Sequence, residues 1–251
     1  ALLTCAVFAF GSLSHAQQVF RVTTIPEEAA TEQVRKFTPL AAYLEKKLGM
    51  KVEFTPVSDY PAAVEALVNK KVDLVWFGGF THVQANLRSG GRIVPLAQRE
   101  EDARFQSVFI AKTDSGIKNL ADMKGKQVSF GSQSSTSGHL MPRFFLMKAG
   151  INPDTDFKAV AFSGAHDATV AFVASGRAEG GVLNASVWDK LVESGNPNAA
   201  KVRVLATTPP YYDYNWTVRP GLDAALTRKI TDAFLKLDAS QPAMKEIMNL
   251  Q

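Results

Sequence analysis

The sequence predicts an α/β protein with two lobes, each built on a mostly parallel sheet, joined by two crossover segments. Strand-like apolar segments alternate with helix-like segments along most of the chain, which is the pattern of successive β–α units. This alternation is interrupted near 99–105, where the charged run Arg99-Glu100-Glu101-Asp102 lies, and again near 207–214. A chain that leaves one sheet, builds a second and then returns explains both interruptions. We therefore assign lobe I to 17–104 and 208–251, and lobe II to 105–207.

Each predicted element of lobe I follows from a local pattern. A β-branched run predicts the first strand, alternation of apolar and polar residues predicts the second, and a continuous apolar run predicts a buried parallel third. The first helix ends at Gly49, a residue typical of helix C-termini, and Pro61 is tolerated in the first turn of the next. The predicted strands are 20–25, 51–57, 72–77, 93–97 and 215–218, and the predicted helices are 32–48, 60–69, 80–88 and 222–237.

The pattern restarts after the first interruption and predicts the elements of lobe II. Short apolar strands again alternate with helix-like segments, and Asp114-Ser115-Gly116 forms a turn after the first of these strands. The predicted strands are 107–112, 127–130, 158–162, 180–183 and 201–207, and the predicted helices are 139–149, 165–174 and 185–193.

The first residues of the chain, 1–16, have the features of the tail of a secretory signal peptide. Residues 1–12 are apolar and uncharged, and Ser14-His15-Ala16 fits an A-x-A-like cleavage pattern. This apolar run is too short to span a bilayer. Cys5 is the only cysteine, so a chain cleaved after Ala16 has no disulfide, thiolate metal site or cysteine nucleophile.

Composition and motifs argue against several functional classes. The net charge is +4, and Lys and Arg are spread along the chain without the run that indicates a nucleic-acid surface. The sequence contains no G-x-S-x-G or H-E-x-x-H motif, and its four histidines do not cluster as metal ligands would. We therefore expect a non-enzyme and a monomer, with no metal, no cofactor and no membrane insertion.

The Ser/Thr/Gly-rich stretch 130–139 is the strongest functional signal. It lies between a predicted strand and a predicted helix, where backbone amides, hydroxyls and the positive end of a helix favour an anion. The alternative is a simple helix cap. Three loops, 77–81, 131–138 and 163–167, follow predicted strands, and ligands of open α/β sheets bind at the carboxyl ends of strands. We expect these loops to converge on one cleft between the lobes.

The mature chain also carries a family resemblance in a series of short motifs. These are Pro39-Leu40-Ala41-Ala42-Tyr43-Leu44-Glu45, Asp59-Tyr60, Val72-Asp73-Leu74-Val75-Trp76-Phe77-Gly78, Asp114-Ser115-Gly116-Ile117, Leu120-Ala121-Asp122-Met123-Lys124-Gly125-Lys126, Ser135-Thr136-Ser137-Gly138 and Ser163-Gly164-Ala165-His166-Asp167. In this order they resemble the phosphonate-binding group of periplasmic solute-binding proteins that serve ABC transporters, which includes phosphate and phosphite binders. The resemblance implies a two-lobed type II fold, a periplasmic location, a small tetrahedral oxyanion as ligand and a transporter permease as partner.

Two further motifs look most like the selenate-binding branch of that group. They are Trp76-Phe77-Gly78-Gly79-Phe80-Thr81 and Gln98-Arg99-Glu100-Glu101-Asp102. That branch is also similar to oxyanion sensors that work with a two-component kinase, so a sensor kinase is the alternative partner. An arsenite sensor would be expected to use a cysteine, which the mature chain lacks.

The resemblance implies ligand contacts for residues of the loops 131–138 and 163–167 and for Tyr60. Ser135, Thr136 and Ser137 would hold the oxyanion through hydroxyls and amides, His166 would donate a ring N–H, and Tyr60 would reach the anion from lobe I. Simple packing of Tyr60 against its helix is the alternative.

The loop after the third strand adds Gly78, Gly79 and Thr81 to the candidates. Glycine permits close backbone approach to a ligand, and Thr81 has a hydroxyl to donate. The alternative is a tight strand-to-helix turn with a cap. Arg99 is a further candidate as a counter-charge at the cleft edge, although a solvated linker arginine is the preferred interpretation.

Departures from the family pattern bear on the ligand. Phe105 stands near the place of a tyrosine expected in phosphonate binders, and Asn184 stands near that of a carboxylate that would receive a ligand ammonium. Asp213 is the second such carboxylate, unless it lies in the crossover. The missing tyrosine argues against a phosphonate, and the loss of one carboxylate favours a small inorganic oxyanion over an aminophosphonate. The expected ligand is thus a small tetrahedral oxyanion of the broad class that includes selenate, phosphite and phosphonate.

Overall fold

The computed structural model describes residues 19–250, so the predicted signal segment lies outside the described residues. It confirms the α/β architecture with two sheets, each of five strands. The first sheet contains β1 (Phe20–Thr24), β2 (Val52–Phe54), β3 (Leu74–Phe77), β4 (Val94–Ala97) and β10 (Asn215–Val218). The second contains β5 (Ser107–Lys112), β6 (Gln127–Phe130), β7 (Ala159–Phe162), β8 (Gly180–Asn184) and β9 (Val202–Thr207).

The helices connect the parallel strands and cover the sheets. Those of lobe I are α1 (Ala30–Leu48), α2 (Tyr60–Val68), α3 (Gly79–Arg88), α8 (Ala224–Leu235) and α9 (Pro242–Leu250). Those of lobe II are α4 (Met141–Lys148), α5 (Pro153–Asp156), α6 (His166–Ala174) and α7 (Ala185–Glu193). None of the described helices is both long enough and apolar enough to cross a membrane.

Both sheets have the same mixed topology. Their strand orders are β2-β1-β3-β10-β4 and β7-β6-β8-β5-β9. Strand β10 is antiparallel to both of its neighbours, and so is β5, whereas β1 and β6 are each parallel to the strands beside them. The central strands β3 and β8 are buried along their whole length, as expected for parallel strands covered on both faces. Their carboxyl ends open toward the space between the lobes.

The two crossover segments pair with each other between the lobes. The first follows β4 and includes a 3₁₀ turn at Glu101–Arg104, and the second runs from β9 to β10. Phe105 and Tyr211 exchange two backbone hydrogen bonds, with N–O distances of 2.8 and 2.9 Å. The amide of Asp213 donates to the carbonyl of Asp102 at 3.0 Å. This short antiparallel contact holds the two connections together where the lobes meet.

Separate apolar cores support the two lobes. The lobe I core includes Trp76 and Trp216, which pack against each other, and Trp216 also packs against Phe37 and Phe234. Lobe II has one cluster on each face of its sheet. Because each lobe buries its own apolar residues, relative motion of the lobes does not require either core to open.

Candidate functional site

The candidate site lies between the lobes at the carboxyl ends of strands, where the three predicted loops meet. The amide of Phe80 in lobe I donates to Thr136 Oγ1 in lobe II at 2.9 Å. The amide of His166 in lobe II donates to the Glu27 carbonyl in lobe I at 2.9 Å. The amide of Gly79 donates to Asp213 Oδ1 at 2.8 Å. These bonds show a closed arrangement in which both lobes and the second crossover border one site.

The loop between β6 and α4 is a tight turn that enters a helix. Its ends are joined by a hydrogen bond from the Gly131 amide to the Gly138 carbonyl at 2.9 Å, and Ser135 Oγ accepts from the Gly138 amide at 2.9 Å. A π-helical turn, Thr136–Leu140, precedes α4. Amides at such a helix start have no acceptor within the helix. The loop therefore presents N–H groups and hydroxyls to the cleft, as the sequence predicts.

His166 begins α6 and is fully buried against this loop. A Cβ at Gly138 would lie 3.0 Å from His166 Cε1, so a larger residue there would press on the ring. Burial lowers the pKa of His166 to about 4, although Glu27 and Asp167 oppose the change. The ring is therefore neutral, and Nδ1 accepts from the Asn184 amide at 3.3 Å. The ring proton consequently resides on Nε2, which is buried and has no partner among the described residues.

Tyr60 begins α2 and extends its hydroxyl into the same space. The helix starts there because Asp59 accepts from the Ala62 amide at 2.7 Å and Pro61 occupies the first turn. Tyr60 is buried, and its hydroxyl has no regular hydrogen-bond partner among the described residues. Burial and the nearby Glu27 carboxylate raise the pKa of Tyr60 well above its usual value, while the adjacent Ser135 hydroxyl partly opposes this. The phenol is thus a neutral donor.

Asp213 lies in the second crossover and faces the site with one free oxygen. Oδ1 accepts from Gly79, whereas Oδ2 is buried without a partner among the described residues. Burial raises the pKa of Asp213 to about 7, although the Gly79 amide and the Thr136 hydroxyl favour the ionised form. Asp213 can therefore share a proton near neutral pH. From the sequence, a place in the crossover and a place beside the ligand are alternatives for Asp213, and a residue of the crossover that borders the site is compatible with both.

Glu27 is the residue of the site that the sequence analysis does not predict. It lies in the loop after β1, is buried, and leaves Oε2 without a partner among the described residues. Its carboxylate raises the pKa of Tyr60 and Tyr214, behind burial as the main cause. The sequence indicates Glu27 only through its position: β1 is parallel to β3, so the loop after β1 lies at the same edge of the sheet as the loop after β3.

Unpaired buried atoms converge on this site. Within the described part of the chain, the buried side-chain atoms without a hydrogen-bond partner include Tyr60 OH, His166 Nε2, Asp213 Oδ2 and Glu27 Oε2. Buried polar groups are normally paired, so four unpaired atoms in one place indicate a site built for a polar ligand. Two of them are donors and two are acceptors.

The other predicted contacts have more local roles. Thr81 donates its hydroxyl to the Gly78 carbonyl at 2.9 Å, so its proton is used within the turn. The Ser137 carbonyl accepts from Ser107 Oγ at 2.7 Å, and the Ser137 side chain faces the Tyr211 hydroxyl. The close backbone approach is at Gly78, where a Cβ would lie 3.0 Å from Thr136 Oγ1, whereas at Gly79 the same distance is 3.8 Å.

The positions that depart from the family pattern are used structurally. Asn184 caps α7 by accepting from the Val187 amide at 3.0 Å, and its Nδ2 donates to Tyr214 OH at 2.9 Å. Phe105 packs edge-on against Tyr211 and Tyr214 and contributes no donor. Neither side chain offers a carboxylate to a ligand ammonium.

The preferred interpretation of Arg99 as a solvated linker residue is wrong. Its guanidinium pairs with buried Asp102 through Nε and Nη2, at 3.0 and 2.6 Å, and lies over the rings of Trp76 and Tyr214. The arginine is held at the crossover because Asp102 is fully buried and requires a counter-charge.

Comparisons with known proteins identify the family. Residues 22–251 match the model for the periplasmic substrate-binding protein of phosphonate ABC transporters. The chain is 36% identical over 244 residues, 93% of this chain and 82% of the relative, to the probable ABC transporter phosphite binding protein PhnD1 of Prochlorococcus marinus. It is also 30% identical over 200 residues to the phosphate-import protein PhnD of Mycolicibacterium smegmatis, covering 75% of this chain and 62% of that relative.

A solved structure supports the same assignment. The structure of Prochlorococcus marinus PhnD1 in complex with methylphosphonate aligns with a TM-score of 0.88 and 34% identity, covering 92% of this chain and 89% of the other. Proteins of this family bind substrates for ABC transporters and are not enzymes, which confirms the expected absence of catalysis. The chain therefore belongs to the phosphonate-binding family of periplasmic substrate-binding proteins of ABC transporters.

Proposed function

We propose that this protein captures a small, protonated phosphorus oxyanion of the phosphite and methylphosphonate type and delivers it to an ABC importer in the periplasm. The observation that carries the proposal is the convergence of two unpaired donors and two unpaired acceptors in one buried site. The names of the similar proteins, a phosphite-binding protein and a structure with methylphosphonate, support the same ligand class.

The donors account for the affinity for an anion. The hydroxyl of Tyr60, Nε2 of His166 and the Ser135 hydroxyl border the same space, together with the first amides of the turn Thr136–Leu140. The Ser135 amide itself donates to the Ser132 carbonyl within the loop. All are neutral, and fixed dipoles in a site that excludes water stabilise an anion without a full counter-charge. Arg99 does not serve as that counter-charge because its guanidinium is paired with Asp102.

The acceptors account for the choice among anions. A free carboxylate oxygen repels a fully deprotonated oxyanion, but it accepts a hydrogen bond from a ligand O–H. Sulfate and selenate carry no proton near neutral pH, whereas the monoanions of phosphite, methylphosphonate and phosphate each carry at least one. Asp213 Oδ2 therefore supports a phosphorus oxyanion in preference to selenate.

Capture proceeds through closure of the lobes. Ala29 donates to Asp167 Oδ2 at 3.1 Å and Gln84 donates to Ser134 Oγ at 3.3 Å, and these contacts across the cleft add to those at Phe80. A ligand that bonds to both lobes favours the closed form by its differential affinity for that form. The paired crossover segments would act as the hinge, and the closed protein would dock on the permease.

Calorimetric titration tests the proposal. The protein, freed of bound ligand by unfolding and refolding, is titrated at pH 7 with phosphite, methylphosphonate, phosphate, 2-aminoethylphosphonate, sulfate and selenate. We expect the tightest binding from one of the first three. Ser135→Ala should weaken binding at least about tenfold, whereas the matched control Ser115→Ala, on an outer turn of lobe II, should not. Tighter binding of selenate, or of no member of the panel, contradicts the proposal.

Uptake measurements separate transport from sensing. Deletion of the gene should abolish growth on the bound oxyanion as sole phosphorus source, and the intact gene should restore it. If uptake continues and an oxyanion-dependent transcriptional response is lost instead, the partner is a sensor kinase.

A further inference from the structure

One carboxylate of the site, Glu27, has a role that the family resemblance does not supply. We propose that Glu27 is a specificity-determining residue that accepts a hydrogen bond from a protonated ligand oxygen and disfavours fully deprotonated oxyanions such as sulfate and selenate. The inference rests on the proposed function, because it names the protonation state that the same site selects.

The backbone directs Glu27 toward the cleft. The Glu27 amide donates to the Ile25 carbonyl at 3.0 Å, which closes a three-residue turn around Pro26 directly after β1. The Glu27 carbonyl accepts from the His166 amide across the cleft, so the residue is fixed from both lobes. Closure of the lobes therefore defines the position of this carboxylate relative to the ligand donors.

The carboxylate is buried among the groups that form the site. Glu27 is 8% exposed, and Oε2 has no hydrogen-bond partner among the described residues. The adjacent Glu28 differs, because its carboxylate forms a buried ion pair with Lys36. The titratable and charged groups that interact with Glu27 come from both lobes and both crossovers, and they are Lys36, Tyr60, Arg99, His166, Lys190, Asp213 and Tyr214.

An unpaired carboxylate oxygen in an anion site has a definite chemical consequence. With a dianion such as selenate, it adds repulsion in a buried medium where charges interact strongly. With a ligand O–H, the same oxygen completes a charge-assisted hydrogen bond. Glu27 enters the site from the loop after β1 and Asp213 enters it from the second crossover. Either carboxylate can therefore accept a hydrogen bond from a ligand O–H.

The test compares Glu27→Gln with Glu32→Gln. Glutamine keeps the shape and an acceptor oxygen but removes the charge and adds a donor. Glu32, in the first turn of α1, is exposed and pairs with Arg35, so its substitution removes the same charge outside the site. Dissociation constants for methylphosphonate are measured by calorimetry at pH 7, and those for sulfate and selenate by displacement of methylphosphonate.

We expect Glu27→Gln to shift the ratio of selenate to methylphosphonate affinity toward selenate by about tenfold or more, and Glu32→Gln to leave it unchanged. Equal changes in both affinities would show a structural role and overturn the inference, as would no change. If Glu27→Gln does not fold, Glu27→Asp retains the charge and should still reject selenate; acceptance of selenate by that variant overturns the inference.

Different results would overturn the proposed function and the role of Glu27. Absence of wild-type binding to every phosphorus oxyanion overturns the proposed function and this inference together. Wild-type binding of methylphosphonate with unchanged discrimination in Glu27→Gln overturns this inference alone.

Discussion

The two crossover segments each carry a buried aspartate, and the two carboxylates have opposite surroundings. Asp102, in the first crossover, receives the guanidinium of Arg99 and the Arg99 amide, the latter at 2.9 Å. Asp213, in the second, receives the Gly79 amide on Oδ1, has the Thr136 hydroxyl beside it and leaves Oδ2 unpaired among the described residues. Their backbones are joined by one hydrogen bond, so the two side chains belong to the same hinge.

This difference in pairing indicates a structural role for the Asp102 carboxylate and a ligand-binding role for the Asp213 carboxylate. A buried carboxylate that is fully paired stabilises the hinge, and loss of its partner is costly. A buried carboxylate with one unpaired oxygen lowers the stability of the ligand-free protein. Such an oxygen is expected in a folded protein where a bound ligand pairs it. Aspartate thus serves two purposes on two crossover segments that are joined by a backbone hydrogen bond.

The largest expected effect comes from removal of the arginine. Arg99→Met leaves Asp102 buried without its counter-charge and removes the stacking on Trp76, so we expect the free energy of unfolding to fall by about 3–5 kcal/mol. Denaturant unfolding measures this loss. The control Arg35→Met breaks an exposed ion pair with Glu32 and should change stability by at most about 1 kcal/mol. Equal losses in both variants would remove the distinction drawn for Asp102.

Substitution of asparagine at the two aspartates should give opposite changes in stability. Asp102→Asn should lower stability, because it removes the buried ion pair between this carboxylate and the Arg99 guanidinium. Asp213→Asn keeps an acceptor for Gly79 and removes a carboxylate whose pKa burial raises from 3.8 to about 7. It should raise the stability of the ligand-free protein and weaken methylphosphonate binding by about 10- to 100-fold.

The stability gain expected for Asp213→Asn should depend on pH. The folded state binds the Asp213 proton more tightly than the unfolded state, so the wild type loses stability as pH rises from about 4 to about 7. Asp213→Asn lacks this loss, and its stability advantage should grow across the same interval in thermal melts of the ligand-free protein. An advantage that is constant with pH would show that the carboxyl does not titrate in the fold.

Most of the fold could be predicted because it depends on local pattern. The buried strand β3 is a continuous apolar run, and helix α1 ends where Gly49 takes the left-handed conformation, with φ of 69°. Two helices, α5 and α9, were not predicted. The first is four residues long, and both begin with proline after a polar segment without a clear helical period. The π-helical turn before α4 was also missed, since its register depends on packing against His166.

The site was harder to predict, because burial of a charge depends on how the lobes meet. The strand-end positions predicted the three loops that converge, whereas the anion-binding role that the composition of 130–139 indicates stays a prediction. Nothing local distinguishes Glu27, which leaves an unpaired oxygen in the site, from Glu28, which pairs with Lys36. For the same reason Arg99 was assigned to solvent although tertiary packing buries it. Roles for the eight predicted site residues stay predictions until binding is measured.

The comparison extends from carboxylates to hydroxyls in Tyr60 and Tyr43. Tyr60 OH is buried and has no hydrogen-bond partner in the part of the chain that the structure describes, whereas Tyr43 OH donates to the Ala233 carbonyl at 2.7 Å. Tyr60→Phe should leave stability unchanged or slightly higher and weaken methylphosphonate binding by up to about tenfold. Tyr43→Phe should lower stability by about 1 kcal/mol without a change in binding. Calorimetry and denaturant unfolding on both variants test this crossed pattern, and a stability loss in Tyr60→Phe would contradict it.

The smallest expected effect is at Thr136, whose oxygen is already used between the lobes. Because Thr136 Oγ1 accepts from the Phe80 amide and lies beside Asp213, Thr136→Ala removes a closure contact and a partner of the site. We expect methylphosphonate binding to weaken about three- to fivefold with the fold intact, and Thr136→Ser to restore it. Small-angle scattering with saturating ligand should show the same closed dimensions in all three proteins. Unchanged affinity in Thr136→Ala would mean that closure of the lobes does not need the Thr136 hydroxyl. The ligand preference would then depend on the four side-chain atoms that are unpaired among the described residues, without this loop hydroxyl.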